Sequence, residues 1–361
     1  MNYYNTYNRI EIEITSKCNA RCPGCSRNVN GITNPQLQVQ DLSSENFIKY
    51  VPKEALKGKK IEFCGVFGDP VMHKDFITIV EHCRLSEPYS ISIDTNGGSQ
   101  PTSWWEKLAT LGVEVQWSVD GHRKTNHLYR VNVKFDKILE NMKAFSKAGG
   151  KGTWEYIVFD HNESEISIAK KEAHALGFDF NIRRNSRNNE EGYISYIKEK
   201  VAGKVVTTKF KVTQSNPVHK HSETETAKKE VQKDNLQISC LLYNDKKMFL
   251  GFDGRIWPCC WFHDIYNGAG NPQVEETSHE LATHHKLKKL DSRYGAGWNS
   301  IIHNSWNDIL GHEYYQKILP NTFDSTSPNF LKEEALPKCA KKCRKSGALR
   351  DVERVKYIGD K

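Results

Sequence analysis

Between Arg9 and Ile182 the chain switches repeatedly from two-residue hydrophobic alternation to helical spacing and back. The strand-like runs are Arg9–Ile14 (RIEIEI), Lys60–Cys64, Tyr89–Thr95 (YSISIDT), Val113–Val119, Thr153–Phe159 and Phe178–Ile182. Helical patterns fill the gaps at Ser43–Tyr50, Lys74 to Leu85, Ser103–Leu111, Phe135–Ala148 and Ser164–Leu176, three of them stopped by Gly112, Gly149 and Gly177. A run of βα units of this kind forces parallel strands joined by helical crossovers. An open sheet covered on both faces and a curved, partial barrel both satisfy the periodicity.

The pattern fails from about Asn185 to Asn235. Within Lys198–Asn235 nine Lys face four Glu and one Asp, half of the net charge of +8 carried by the whole chain. Such a stretch reads as a solvated, mobile excursion, with nucleic acid or an acidic peptide as the sharper alternative. Three segments are therefore expected: 1–185, a polar basic connection over 186–236, and a small second domain over 237–361. No apolar run reaches the length of a membrane span and no secretory signal is visible, so a cytoplasmic protein with no membrane partner is expected.

Ten cysteines in a chain without an export signal point to metal or redox chemistry rather than disulfides. The strongest group is Cys18-Asn-Ala-Arg-Cys22-Pro-Gly-Cys25, directly after the first strand. Three thiolates on one loop can hold three corners of a metal site and leave the fourth open. A structural zinc site needs a fourth protein ligand, whereas a four-iron cluster on three cysteines keeps one iron free. The loop also leaves the carboxyl end of a strand, where barrels and open sheets place their chemistry.

Here the sequence resembles the radical S-adenosylmethionine (SAM) superfamily, over about residues 8–185. Gly65-Val-Phe-Gly68-Asp69-Pro70 after strand two looks like the family's Gly-Gly-Glu-Pro turn, which contacts the SAM amino group. Asp94-Thr95-Asn96-Gly97-Gly98 resembles a segment near the ribose, and Trp117-Ser118-Val119-Asp120-Gly121 with Arg130 resembles the region near the SAM carboxylate. The resemblance implies SAM contacts from Gly68, Asp69, Pro70, Thr95, Asn96, Ser118, Asp120 and Arg130, and a [4Fe–4S] cluster on Cys18, Cys22 and Cys25. Three positions depart from the pattern: Gly24 replaces an aromatic residue, Asp69 a glutamate and Phe67 a glycine. The chemistry implied is one-electron cleavage of SAM to methionine and a 5′-deoxyadenosyl radical, which takes hydrogen from a substrate.

The C-terminal set Cys240-x(13)-Gly254-x(4)-Cys259, then Cys339-x(3)-Cys343, resembles the twitch or SPASM extension of this superfamily. Its five cysteines suit the one-cluster twitch form. That implies a second [4Fe–4S] cluster on Cys240, Cys259, Cys339 and Cys343, with Cys260 spare; zinc on the same four is the rival. A four-thiolate cluster carries a net charge of about −2, and Lys338, Lys341, Lys342, Arg344 and Lys345 crowd the last two cysteines. Phe249–Trp257 reads as a hairpin with an Asp-Gly turn, and Asn307–Leu319 as one helix. Cys64 and Cys83 read as structural thiols, and Asp253 as a turn residue. No general base can be picked.

The fold class expected is α/β: a partial (β/α)6 TIM-like barrel followed by a small α+β cluster domain. The resemblance implies an oxidoreductase-type enzyme, fed by an electron donor such as flavodoxin or ferredoxin. A peptide or protein side chain is the expected substrate. A small sugar- or alcohol-type metabolite is the alternative, strengthened because no N-terminal peptide-clasping domain is expected ahead of a strand at residue 9. A zinc-stapled nucleic-acid-binding protein is the competitor from another class.

Overall fold

The computed structural model describes residues 2–183, 192–202, 204–213, 236–268 and 278–343. Six parallel strands follow the sequence order: β1 Arg9–Ile12, β2 Lys60–Phe63, β3 Ser90–Thr95, β4 Glu114–Ser118, β5 Gly152–Ile157 and β6 Asp179–Arg183. The crossovers carry α1 Ser44–Tyr50, α2 Phe76–Arg84, α3 Thr102–Thr110, α4 Phe135–Lys147 and α5 Ile166–Ala175. Ser43 caps α1 by accepting the Asn46 N–H.

Strand alternation decides what faces what. Ile10, Ile12, Ile61, Phe63, Ile91, Ile93, Val115 and Trp117 are buried against the helices. Trp117 sits in an aromatic cluster with Trp105 of α3 at 4.7 Å and Phe145 of α4 at 5.7 Å between ring centroids. The opposite face carries Glu11, Glu62, Asp94, Gln116, Glu155 and Arg183. A flat sheet would hold β1 and β6 about 24 Å apart at the usual strand spacing. Yet Arg9 of β1 and Arg183 of β6 line one cavity of about 540 Å³. The sheet is therefore curled into a partial barrel with a polar interior, and the open-sheet alternative falls.

Three expectations are corrected. The sheet has eight strands, not six: β9 Lys247–Leu250 pairs in parallel with β1, and β10 Ile256–Trp257 pairs antiparallel with β9. The hairpin of the second cysteine segment thus extends the barrel sheet. Met248, Phe249 and Leu250 are all fully buried, the mark of a strand covered on both faces. Part of the basic excursion is ordered as a long antiparallel hairpin, β7 Tyr193–Val201 and β8 Lys204–Val212, whose β-branched residues were masked by its lysines. The remainder, up to 191, 203 and 214–235, lies outside the described residues. Finally, Asn307–Leu319 is not one helix. A helix over Trp306–Gly311 gives way to a π-helical turn, Tyr314–Ile318, which turns both Tyr314 and Tyr315 inward; the Tyr315 hydroxyl donates to the Ile256 carbonyl at 2.6 Å.

Behind β10 come α6 Cys260–Gly268, α7 Ser278–Tyr294 and α8 Pro337–Lys342. No helix among the described residues is long and apolar enough to cross a membrane.

Candidate active site

Four consecutive strand ends converge on the cysteine loop. The loop leaves β1 and is folded by its own backbone: the Cys25 N–H donates to the Cys22 carbonyl at 3.2 Å and the Asn28 N–H to the Cys25 carbonyl at 2.9 Å. Asn28 Nδ2 donates to the Cys22 carbonyl at 3.1 Å. Arg27 donates to the Ser16 carbonyl and bridges the loop to its own base. Each thiol meets a different strand end. Asn96 Nδ2, just past β3, is 3.8 Å from Cys18 Sγ; Arg130 Nη1 is 3.8 Å from Cys22 Sγ; Cys25 Sγ is 3.7 Å from the Val66 carbonyl after β2.

The turn after β2 is made by the absence of side chains. A Cβ on Gly65 would stand 1.7 Å from the Gly68 carbonyl oxygen, and one on Gly68 would stand 1.8 Å from that of Thr15. Neither backbone oxygen can give way. Asp69 is buried and used up locally. Its Oδ2 accepts from Thr95 Oγ1 at 3.0 Å, the Asn96 N–H at 2.8 Å and Asn96 Nδ2 at 2.7 Å, while Oδ1 accepts from the Val71 N–H at 3.3 Å. Burial raises its pKa more than these bonds lower it. The shorter acid therefore stitches the turn to the end of β3. Pro70 opens the 3-10 turn behind it.

Beyond β4, Asp120 is fully buried. Its Oδ2 accepts from Arg130 Nε at 2.6 Å and its Oδ1 from the Ile157 N–H at 2.7 Å. Burial works against the Arg130 charge, but Asp120 and Cys22 more than offset it and raise its pKa. Arg130 is thus a fixed cation between a carboxylate and a thiol. Ser118 closes β4 on the interior face. Of the expected residues, Asn96 and Arg130 meet the loop's thiols, and the Asp69 N–H donates to the Lys17 carbonyl at 2.8 Å.

Burial outweighs the positive charge that Arg130 brings to Cys22. Burial pushes Cys22 up to about 11, with Arg130 pulling down and Cys25 pushing up. Burial, then Asp69 and Cys22, push Cys18 well up. Three mutually repelling, desolvated thiols at a mouth rimmed by fixed donors suit a cationic inorganic core that would take them as thiolates.

Four cysteines converge in the second segment. Burial, then Cys260, Cys339 and Cys240, raise Cys259; burial, then Cys240 and Cys343, raise Cys339. The Ser239 N–H donates to the Cys343 carbonyl at 2.8 Å and brings the two ends together. After burial, the groups that act most on Cys260 are Glu11, Lys247 and Asp264, whereas Cys339 and Cys240 act on Cys259 along with Cys260. Lys338 pairs with Glu280 and lies 4.3 Å from the Trp261 ring centroid, so its charge is shared. Arg344 and Lys345 lie outside the described residues. Among the described residues no three His, Cys, Asp or Glu side chains are arranged to hold a single metal ion. The fit to clusters rests on the donor sets and their surroundings.

Four residues of the site escaped the sequence reading. Tyr129 and Tyr193 lie against Gly24, where a Cβ would come within 3.1 Å of either ring system. Aromatic groups therefore sit where the loop itself offers none. Glu13 and His263 meet behind the turn after β2. Only His263, spaced at a helical turn from Cys259, carried any local signal.

Residues 12–171 match the model of the radical SAM superfamily. The chain carries a radical SAM domain. The domain also resembles part of a tungsten-containing aldehyde ferredoxin oxidoreductase cofactor-modifying protein of Pyrococcus furiosus, 29% identical over 113 residues. That match covers 31% of this chain and 30% of the relative, so the chain's likeness to it spans about a third of either protein. Among solved structures, native anSMEcpe with bound AdoMet and Kp18Cys peptide is 13% identical with a TM-score of 0.51, over 95% of this chain and 91% of that one. SuiB of Streptococcus suis is 17% identical with a TM-score of 0.47, over 71% of this chain and 61% of its own. The radical SAM match gives SAM and an iron–sulfur cluster as the cofactors of the barrel.

Proposed function

We propose that this radical SAM enzyme abstracts hydrogen from a peptide or protein side chain, with Cys18, Cys22 and Cys25 holding its SAM-binding [4Fe–4S] cluster. The observation that carries the reading is the meeting of those three thiols with Asn96, Arg130 and the Gly65–Asp69 turn at one mouth of the barrel. Bound there, the cluster and SAM supply a 5′-deoxyadenosyl radical. The chain's own residues do the rest. The backbone of the glycine turn offers a close approach to the SAM amino group, and Asp69 fixes that turn to β3 without touching the ligand. Arg130, anchored by Asp120, presents a cation of fixed position to the SAM carboxylate. Ser118, the last residue of β4, is proposed to add a hydroxyl. Tyr129 and Tyr193 offer flat apolar surface to the adenine and help to exclude water.

Cys240, Cys259, Cys339 and Cys343 are proposed to hold a second, fully ligated cluster. With no open position such a cluster would serve electron transfer, either taking up the electron that a substrate radical gives up on oxidation or relaying one from a flavodoxin- or ferredoxin-type donor. The peptide-bound anSMEcpe structure supports a side-chain substrate, as a likeness in fold.

A second reading has its own observation. The inner face of the strands carries the polar side chains Glu11, Glu62, Asp94, Gln116, Glu155 and Arg183, while the cavity of about 540 Å³ that Arg9, Glu114, Lys151 and Asp179 help to line lies toward the amino ends of the strands. Such walls suit a small, hydroxyl-rich metabolite. One assay decides between them. Candidate peptides and polyols, deuterated at the reacting carbon, are incubated with reconstituted enzyme, reductant and SAM, and label is followed into 5′-deoxyadenosine. Transfer from peptides alone is the expected result; transfer from polyols alone would replace the peptide reading.

A further inference from the structure

A buried acid–imidazole pair ties the second cysteine segment to the turn after β2. Glu13 and His263 are both fully buried, with His263 Nε2 3.0 Å from Glu13 Oε2. Among the described residues neither atom has another hydrogen-bond partner. The second carboxylate oxygen, Oε1, accepts the N–H of Phe67 at 2.7 Å and that of Gly68 at 2.8 Å. Glu13 stands just beyond β1, and its own N–H donates to the Leu250 carbonyl of β9 at 2.9 Å. One side chain thus holds the two central amides of the glycine turn and leans on an imidazole brought by α6.

The surroundings leave the pair to itself. Phe67, Phe249 and Phe252 enclose the imidazole, with ring centroids 5.8, 5.0 and 4.8 Å away. Gly251 makes the space: a Cβ there would stand 2.4 Å from His263 Nδ1 and Cε1. The groups facing His263 are all acidic or neutral. Asp253 Oδ1 lies 3.9 Å from Nδ1, Asn267 Nδ2 lies 3.1 Å from it, and Asp264 follows in the same helix. Arg27 also acts on Glu13, but its guanidinium is engaged by the Ser16 carbonyl and Thr33 and shared with Cys18 and Cys25. Burying a charge is costly unless it is paired and hydrogen-bonded. Burial works against the imidazolium, yet Glu13, Asp253 and Asp264 carry its pKa upward.

We propose that protonated His263 is a positioning residue for SAM binding: it neutralises Glu13, which fixes the Phe67 and Gly68 amides and with them the shape of the turn. The grip on SAM then depends on the docking of α6, so the C-terminal segment governs the cofactor pocket of the barrel. The inference rests on the reading of the backbone of the Gly65–Pro70 turn as SAM-facing, and the test keeps the two apart.

The full chain, with its clusters reconstituted, is compared with His263→Gln, Glu13→Gln and the double variant. Amide hydrogen exchange over residues 65–69 is measured without SAM, and SAM affinity by equilibrium dialysis. The expected result for each single variant is about tenfold faster exchange at Phe67 and Gly68 and about tenfold weaker SAM binding, as for loss of a buried charged hydrogen bond. Iron content should stay unchanged. The double variant should be no worse than either single, because both act through one pair. In the unaltered protein, protection of these amides should fall as pH rises through the His263 pKa, relative to the same amides in His263→Gln. This comparison can be made against neighbouring amides of the unaltered protein if the variant does not fold. Unchanged exchange in His263→Gln, additive effects, or protection in the unaltered protein that follows only the intrinsic pH dependence would overturn the clamp. Faster exchange with unchanged SAM affinity would overturn its role in SAM binding. If the unaltered protein with intact clusters bound no SAM, the reading of the turn would fail instead.

Discussion

Asp94 shows what one side chain experiences inside this barrel. It sits on β3 two residues below Asn96, on the same face, open to the lumen but ringed by charge. Burial, against the pull of Arg183 and with Glu62, Glu11 and Glu155 pushing the same way, raises its pKa to about 7. Arg183 pairs with Glu155, and Lys247 with Glu11, so the nearby cations are engaged elsewhere. The sign follows from linkage. Between the unfolded pKa near 4 and about 7 the folded state binds the extra proton, so Asp94 costs stability as pH rises through that window. Asp94→Asn should therefore raise the melting temperature at pH 8 and change it less at pH 5; an equal shift at both would remove this assignment. Residue by residue, the cysteine triplet was legible because its spacing is local and its chemistry demands three thiols on one loop. Glu13 and His263 were not, since their contact joins residues about 250 positions apart, and the spacing of His263 from Cys259 does not point to Glu13.

At the level of elements, periodicity and glycine stops placed all six strands and five crossover helices within a residue or two of their ends. The hairpin β7–β8 escaped because a lysine count describes a surface, not a backbone. It lies on the cysteine loop: Tyr196 packs on Gly31 and donates to Asn30 Oδ1 at 3.3 Å, and Tyr193 packs on Gly24. Gly31 has φ +77°, and a Cβ there would stand 2.5 Å from Tyr196 Cβ. Gly31→Ala should cost about 1 kcal/mol or more, since both the backbone and the contact resist a side chain. It should also speed proteolysis within 193–212. Unaltered cleavage and melting would show that the hairpin stands independently of the loop.

For the whole molecule, the sequence suggested a barrel and a separate cluster domain, whereas β9 enters the barrel sheet beside β1. Strand pairing across so long a separation cannot be read from periodicity, which knows only neighbours. The union places the four C-terminal cysteines behind a strand that shares its backbone bonds with β1, the strand that launches the first cysteine loop. The two thiol groups are thereby held in one framework rather than on a hinge. The most direct measurement is of iron and 5′-deoxyadenosine on the same anaerobically reconstituted samples, for the unaltered chain and for Cys22→Ala. The unaltered chain should hold about eight iron, two four-iron clusters, and should release 5′-deoxyadenosine on reduction with SAM. Cys22→Ala should hold about four and release none. Full iron with no 5′-deoxyadenosine in the unaltered chain, or undiminished release from Cys22→Ala, would contradict the assignment of this loop.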